Sequence, residues 1–148
     1  MGTTTVGAPA KSFQPLRVVV ERGATAAGIA VIVNTILLVV GDRFVDIPAG
    51  FDPLEIGSVV VASAVGALAA TAVYIVLDRV VDDPDRVFTA VAAVVLALSL
   101  LPVFFVAPTM AAGVGAGVIA LLALMHVAVA VSSVGVLTHG EIFDRAQP

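Results

Sequence analysis

The chain has 148 residues and a formal net charge of -4; 60% of its residues are hydrophobic, and only 12% are charged, about half the usual share for a soluble domain. It has no cysteine, which excludes disulfides, thiolate catalysis and thiolate metal sites. Its seven basic residues are scattered, which argues against a nucleic-acid-binding surface.

Charge-free gaps organise the chain. Residues 1–15 form a polar leader containing Gly, Thr and Pro, expected to be mobile. The first helix is expected over about 16–40, with Arg17 and Glu21 paired one turn apart near its start. No charge falls between Arg22 and Asp42, and a helix of roughly 20 residues spans the hydrocarbon core. The basic residues before this run resemble those of a secretory signal, but the run is long for a signal core. No convincing cleavage site follows, so the helix is expected to be retained. An outer loop over 41–56 mixes Phe44, Val45, Ile47, Phe51 and two prolines with Asp42, Asp46, Asp52 and Glu55, which suggests a folded cap.

The second helix is expected over about 56–77, followed by a charged turn over 78–86. From Arg86 to Glu141 no charged residue occurs for 54 positions, a length that must fold back once. Pro102 and Pro108 interrupt this stretch. Helices are expected over about 87–106 and 110–137, with a tight turn at Ala107-Pro108-Thr109 and Thr109 as the cap of the last helix. Residues 138–148 read as a polar tail, on which His139, Glu141 and Asp144 have no compact metal-ligand spacing. Four such runs cannot be covered by so little polar sequence. The fold class expected is therefore all-α, a four-helix transmembrane bundle.

The basic residues give this bundle a direction. With four crossings Lys11, Arg17, Arg22, Arg79, Arg86 and Arg145 share one side, and only Arg43 lies on the other. The expected localisation is the cell membrane, multi-pass, with both termini cytoplasmic and the 41–56 loop outside. Tyr74 and Phe88 near the inner ends and Phe104 and Phe105 near the outer ones resemble interfacial aromatic belts.

Small residues at spacings of four suggest close helix packing: Ala62, Gly66 and Ala70, Ala24 and Gly28, and Gly113 and Gly117. Pro102 removes a helical hydrogen bond to the Leu98 carbonyl, which Ser99 is near enough to answer. The polar residues that fall inside the apolar runs are Asn34, Ser63, Ser99 and His126. Counted from the inner ends at about 1.5 Å per residue, all four reach a similar depth, near the midplane. Ser133 shares the His126 helix face. Uncompensated polar groups cost several kcal/mol in hydrocarbon, so this layer is expected either to satisfy itself or to bind something. Asn34, Ser63, Ser99 and His126 are thus the candidate ligand-binding residues; no catalytic or metal-ligating set and no cofactor are expected. Phosphate loops, dinucleotide-binding glycine patterns and nucleophile elbows are absent, so enzyme chemistry is poorly supported.

The runs Ile56-Gly57-Ser58-Val59-Val60-Val61-Ala62-Ser63, Val87-Phe88-Thr89-Ala90-Val91-Ala92 with Leu98-Ser99-Leu100-Leu101-Pro102, and Leu122-Ala123-Leu124-Met125-His126-Val127 resemble a family of small uncharacterised four-helix membrane proteins of actinobacteria and haloarchaea. The resemblance covers about 20–137 and departs from the family at Ile56-Gly57, where members often carry Gly-Pro. It implies the four-helix arrangement and draws attention to His126, without a substrate. Small multidrug transporters also have four helices but bury a carboxylate in the first, and positions 23–41 hold none. The leading functional expectation is a non-enzymatic bundle with a structural, accessory or partner-binding role. Its partners would be membrane lipid, a second copy or another membrane protein. The alternative is a small transporter or ligand-binding protein that uses the polar layer around His126. A pocket lined by Asn34, Ser99 and His126 separates the two.

Overall fold

The computed structural model describes residues 13–139. Residues 1–12 and 140–148 lie outside the described residues, and with them most of the expected leader and tail, including Lys11, Glu141, Asp144 and Arg145. The described chain is all-helical: α1 (Leu16–Gly41), α2 (Ile56–Val80), α3 (Pro84–Phe105), a single-turn α4 (Ala107–Met110) and α5 (Ala116–Thr138), with a 3-10 turn at Asp52–Leu54. Leu16–Gly41, Ile56–Val80, Pro84–Met110 and Ala116–Thr138 are each long and apolar enough to cross a bilayer. Valines, leucines and isoleucines cover their outward faces, among them Ile32, Val61, Val94 and Val131, as a lipid-facing surface requires.

Helix ends differ from the sequence expectation where charge was read as loop. The turn expected over 78–86 is shorter, because Asp78 and Arg79 still belong to α2. α3 begins at Pro84, three residues before the expected start. The Asp83 carboxylate accepts from the Arg86 amide at 3.2 Å, and proline at the first helical position costs no hydrogen bond. Ala107-Pro108-Thr109 forms a helical turn, and the Thr109 hydroxyl donates to the Val106 carbonyl at 2.7 Å, so Thr109 does not cap the last helix. That helix starts at Ala116, later than expected, after a linker whose Gly113 adopts φ 89°, a left-handed conformation suited to glycine. Ser99 also differs: its hydroxyl donates to the Leu96 carbonyl at 2.8 Å and not to that of Leu98.

Two apolar clusters mark the ends of the bundle. At one end Val19, Tyr74, Phe88 and Leu137 meet, so the start of α1 and the end of α5 lie together there with the α2–α3 turn. Tyr74 and Phe88 are buried in an edge-to-face pair, ring centroids 5.2 Å apart, and not spread as an interfacial belt. At the other end the 42–55 segment folds over the bundle, burying Phe51 and Leu54 against Leu38, Val103, Leu121 and Leu122.

α1 packs on α2 and α5, and α3 leans mainly on α5. The closest approach uses small residues one register away from those expected. Gly23, Ala26 and Ala30 of α1 are buried, as are Ser63, Ala67 and Thr71 of α2, whereas Ala24, Gly28 and Ala62 are exposed. A Cβ on Gly23 would collide with the Thr71 side chain, while one on Gly28 meets nothing. On α5, Gly117 lies against Val45 of the 42–55 segment, not against another helix.

Candidate functional site

Asn34 is the polar residue that ties three helices together. It sits mid-way along α1, on the inward stripe that also carries Ala30 and Leu38. Its Nδ2 donates to Ser63 Oγ of α2 at 2.8 Å and to the Met125 carbonyl of α5 at 3.3 Å. A carbonyl can only accept, so the Met125 contact fixes which way the amide faces. Both amide hydrogens are then committed, and Oδ1 is left buried with no partner.

His126 follows Met125 on α5 and turns its ring toward its own helix, Nδ1 lying 2.8 Å from the Leu122 carbonyl. That contact requires a proton on Nδ1, which leaves Nε2 of the neutral ring as an acceptor. Two helix turns further, on the same face, Ser133 is buried at 2% exposure and its hydroxyl has no hydrogen-bond partner. This is unlike Thr71 and Thr138, whose hydroxyls bond back to the preceding turn of their own helices.

Between α2, α3 and α5 lies a cavity of about 320 Å³. Asn34, Ser63, Ser99 and His126 all line it, as does Ser133. Much of the remaining wall is apolar: Val59 and the Ala62, Gly66 and Ala70 stripe on α2, Ala92, Val95 and Leu96 on α3, and Leu122, Met125 and Val129 on α5. The small residues of α2 that suggested close packing thus border a space. Ala62 of α2 and Val95 of α3, both on the lining, are exposed. No Asp, Glu, Lys or Arg lines the cavity, and no grouping of three or more His, Asp or Glu able to hold a metal occurs among the described residues.

A second polar cluster sits at the end shared by the α1 start and the α2–α3 turn, and it was not anticipated. Tyr74 Oη donates to Asp85 Oδ1 at 2.6 Å and accepts from Gln14 Nε2 at 3.2 Å. The Gln14 amide donates to Asp78 Oδ2 at 3.2 Å, and Arg22 Nη1 donates to Gln14 Oε1 at 2.9 Å. These bonds fasten the segment before α1 to the ends of α2 and α3. The sequence signal was Asp78 one turn after Tyr74, with Asp85 just across the turn. The expected Arg17–Glu21 pair forms at 2.6 Å on the exposed side of α1.

Four bilayer-length helices around a neutral, polar-studded cavity define a multi-pass membrane helix bundle whose interior is not fully packed. Residues 14–140 match the profile of the Family of unknown function (DUF6069), and the chain belongs to that family. No match was found among curated proteins or among solved structures.

Proposed function

We propose that the protein binds a small molecule inside its membrane domain, with both termini and the α2–α3 turn on the cytoplasmic side. The observation that carries the binding reading is the cavity of about 320 Å³ bordered by Asn34, Ser63, Ser99, His126 and Ser133, two of which each bury a polar atom that has no partner. A purely structural bundle gains by filling such a space, because each unmet polar group in hydrocarbon is costly and each void forfeits packing. The volume lies at the lower end of the range for small-molecule pockets.

The test is thermal unfolding of the purified protein against a panel of lipid-soluble and water-soluble compounds, repeated on His126→Ala. A compound that protects the parent and not the variant supports a binding site at this cavity. If no compound protects the parent, the structural, accessory role becomes the better account.

The orientation rests on the basic-residue bias together with the common end of the α1 start and the α5 end. Because the chain has no cysteine, single replacements report cleanly. Phe44→Cys, at an 83% exposed position, should react with a membrane-impermeant maleimide on intact cells, and Asp82→Cys only after permeabilisation. The opposite pattern would invert the topology.

A further inference from the structure

The free hydrogen-bonding capacity of the cavity defines a ligand chemistry; this inference rests on the ligand-binding reading. Four donors on its wall are spent, whereas the hydroxyl hydrogens of Ser63 and Ser133 have no acceptor among the described residues. Both Asn34 amide hydrogens go to Ser63 and Met125, the His126 Nδ1 hydrogen goes to Leu122, and the Ser99 hydroxyl hydrogen goes to Leu96. Acceptors are free as well. Asn34 Oδ1 has no partner, but it is enclosed on a residue only 3% exposed. His126 Nε2 is likewise without a partner among the described residues, on a half-buried ring at the cavity wall. A molecule that complements this wall brings a donor for His126 Nε2 and an oxygen able to accept from a serine hydroxyl.

Charge is excluded by the same inventory, since a charged group in this setting would be desolvated with no opposite charge on the lining. Shape adds a further constraint. Leu122 and Ser133 both border the cavity and lie eleven residues apart on α5, so the space runs roughly 16 Å along the helix. Its walls between the polar positions are Val, Leu, Met and Ala, suited to a hydrocarbon chain. A mouth between the exposed Ala62 and Val95 would face lipid, where such a molecule is concentrated.

We propose that the cavity takes an uncharged, chain-bearing alcohol from the bilayer, the hydroxyl donating to His126 Nε2 and the chain lying along α5 behind the α2–α3 mouth. The ligand reaches the site sideways through the bilayer, and Val95 stands at its threshold.

The test uses the full chain in phosphatidylcholine nanodiscs, with dodecanol and its methyl ether as probes. The two share one chain, of a length close to that of the cavity, and differ in the donor. Thermal unfolding followed by circular dichroism at matched membrane loading gives the apparent affinity of each. The parent should favour dodecanol by roughly three- to tenfold, the worth of one net hydrogen bond. His126→Ala should bring that preference to within about twofold while the chain still binds. Val95→Trp, whose indole narrows the mouth, should weaken both probes and guards against a failure of His126→Ala to fold. Equal binding of alcohol and ether by the parent overturns the donor assignment and leaves ligand binding standing. An alcohol preference that survives in His126→Ala overturns the role of His126, and tighter binding of dodecanoate than of dodecanol overturns the claim of neutrality. A parent that responds to none of these probes overturns this proposal, and no response across the wider panel removes the binding reading as well.

Discussion

Asn34→Ala tests whether the three helices are tied where the hydrogen bonds place the knot. The substitution removes the 2.8 Å bond to Ser63 and the longer 3.3 Å bond to the Met125 carbonyl. Hydrogen bonds between membrane helices average about 0.6 kcal/mol, with a maximum near 1.7 kcal/mol. The shorter bond merits about 1 kcal/mol and the longer about 0.5 kcal/mol. The truncated side chain leaves a void beside Ser63, costing about 1 kcal/mol more. Against this, the unpartnered Oδ1 disappears, returning about 0.5 kcal/mol. The expected loss is about 2 kcal/mol. Ser63→Ala breaks only one of the two bonds and should cost about 1 kcal/mol. The double variant should then lose about 2.2 kcal/mol, a coupling of about 0.8 kcal/mol. The assay is reversible unfolding in mixed micelles of increasing SDS fraction, followed by far-ultraviolet circular dichroism. Strict additivity, or a Ser63→Ala loss exceeding that of Asn34→Ala, would refute the assignment of Nδ2 as the shared donor.

Gly23→Ala should destabilise the bundle by about 1–3 kcal/mol in the same assay, because its methyl group enters the space of the Thr71 side chain. Thr71→Gly in the same chain should restore most of the loss, whereas a neutral Gly23→Ala would mean that α1 and α2 are further apart. Tyr74→Phe keeps the ring against Phe88 but removes the bonds to Asp85 and Gln14. A loss of about 1.5–3 kcal/mol is expected, with faster amide exchange at the start of α3, seen by mass spectrometry. Unchanged exchange there would show that the tyrosine hydroxyl does not hold the turn. Gly117→Leu pushes against Val45, which the glycine lets come close. It should raise exchange and protease cleavage within 42–55 while leaving α1 and α2 amides as protected as before; protection unchanged in that segment would refute the contact.

The crossings were legible because charge is expensive in hydrocarbon: its absence between Arg22 and Asp42 and between Glu55 and Asp78 marks two spans, and the long gap after Arg86 holds two more. The convergence of Asn34, Ser63, Ser99 and His126 on one cavity was approachable by counting residues from the helix ends, since a helix has a fixed rise. Register was another matter. Lipid and bundle interior are both apolar, so no amphipathic period separates Ala62 from Ser63 or Gly23 from Ala24. Among the polar residues, Asn34 on α1 and Ser63 and Thr71 on α2 point to the true inner stripe. Tyr74 and Phe88 misled for a similar reason, because an aromatic residue near a membrane surface suits either an interfacial belt or a buried pair. The start of α3 was hidden by its own charges, although Asp83 followed by Pro84 is a capping signal.

The same contacts divide the bundle into a tied part and a free one. α1 is held against α2 by the Gly23–Thr71 approach and by Asn34, and against α5 by the Met125 carbonyl. α3 is held at its two ends. Phe88 packs on Tyr74 and Asp85 accepts from Tyr74 at one end, while Val103 joins the cluster under the 42–55 segment at the other. Between them, Ala92, Val95, Leu96 and Ser99 border the cavity, and no residue of α3 other than Phe88 and Val103 is fully buried. Pro102, which has no N–H to donate to the turn before it, stands at the C-terminal limit of that middle stretch. On the proposed binding reading, a molecule passing from lipid to His126 would displace only the centre of one helix, where little packing is lost, and the contacts that fold the other three would be left intact. Stability and access are assigned to different helices, and for this reason variants of Gly23 and Asn34 are expected to act on folding, and variants of Val95 on binding.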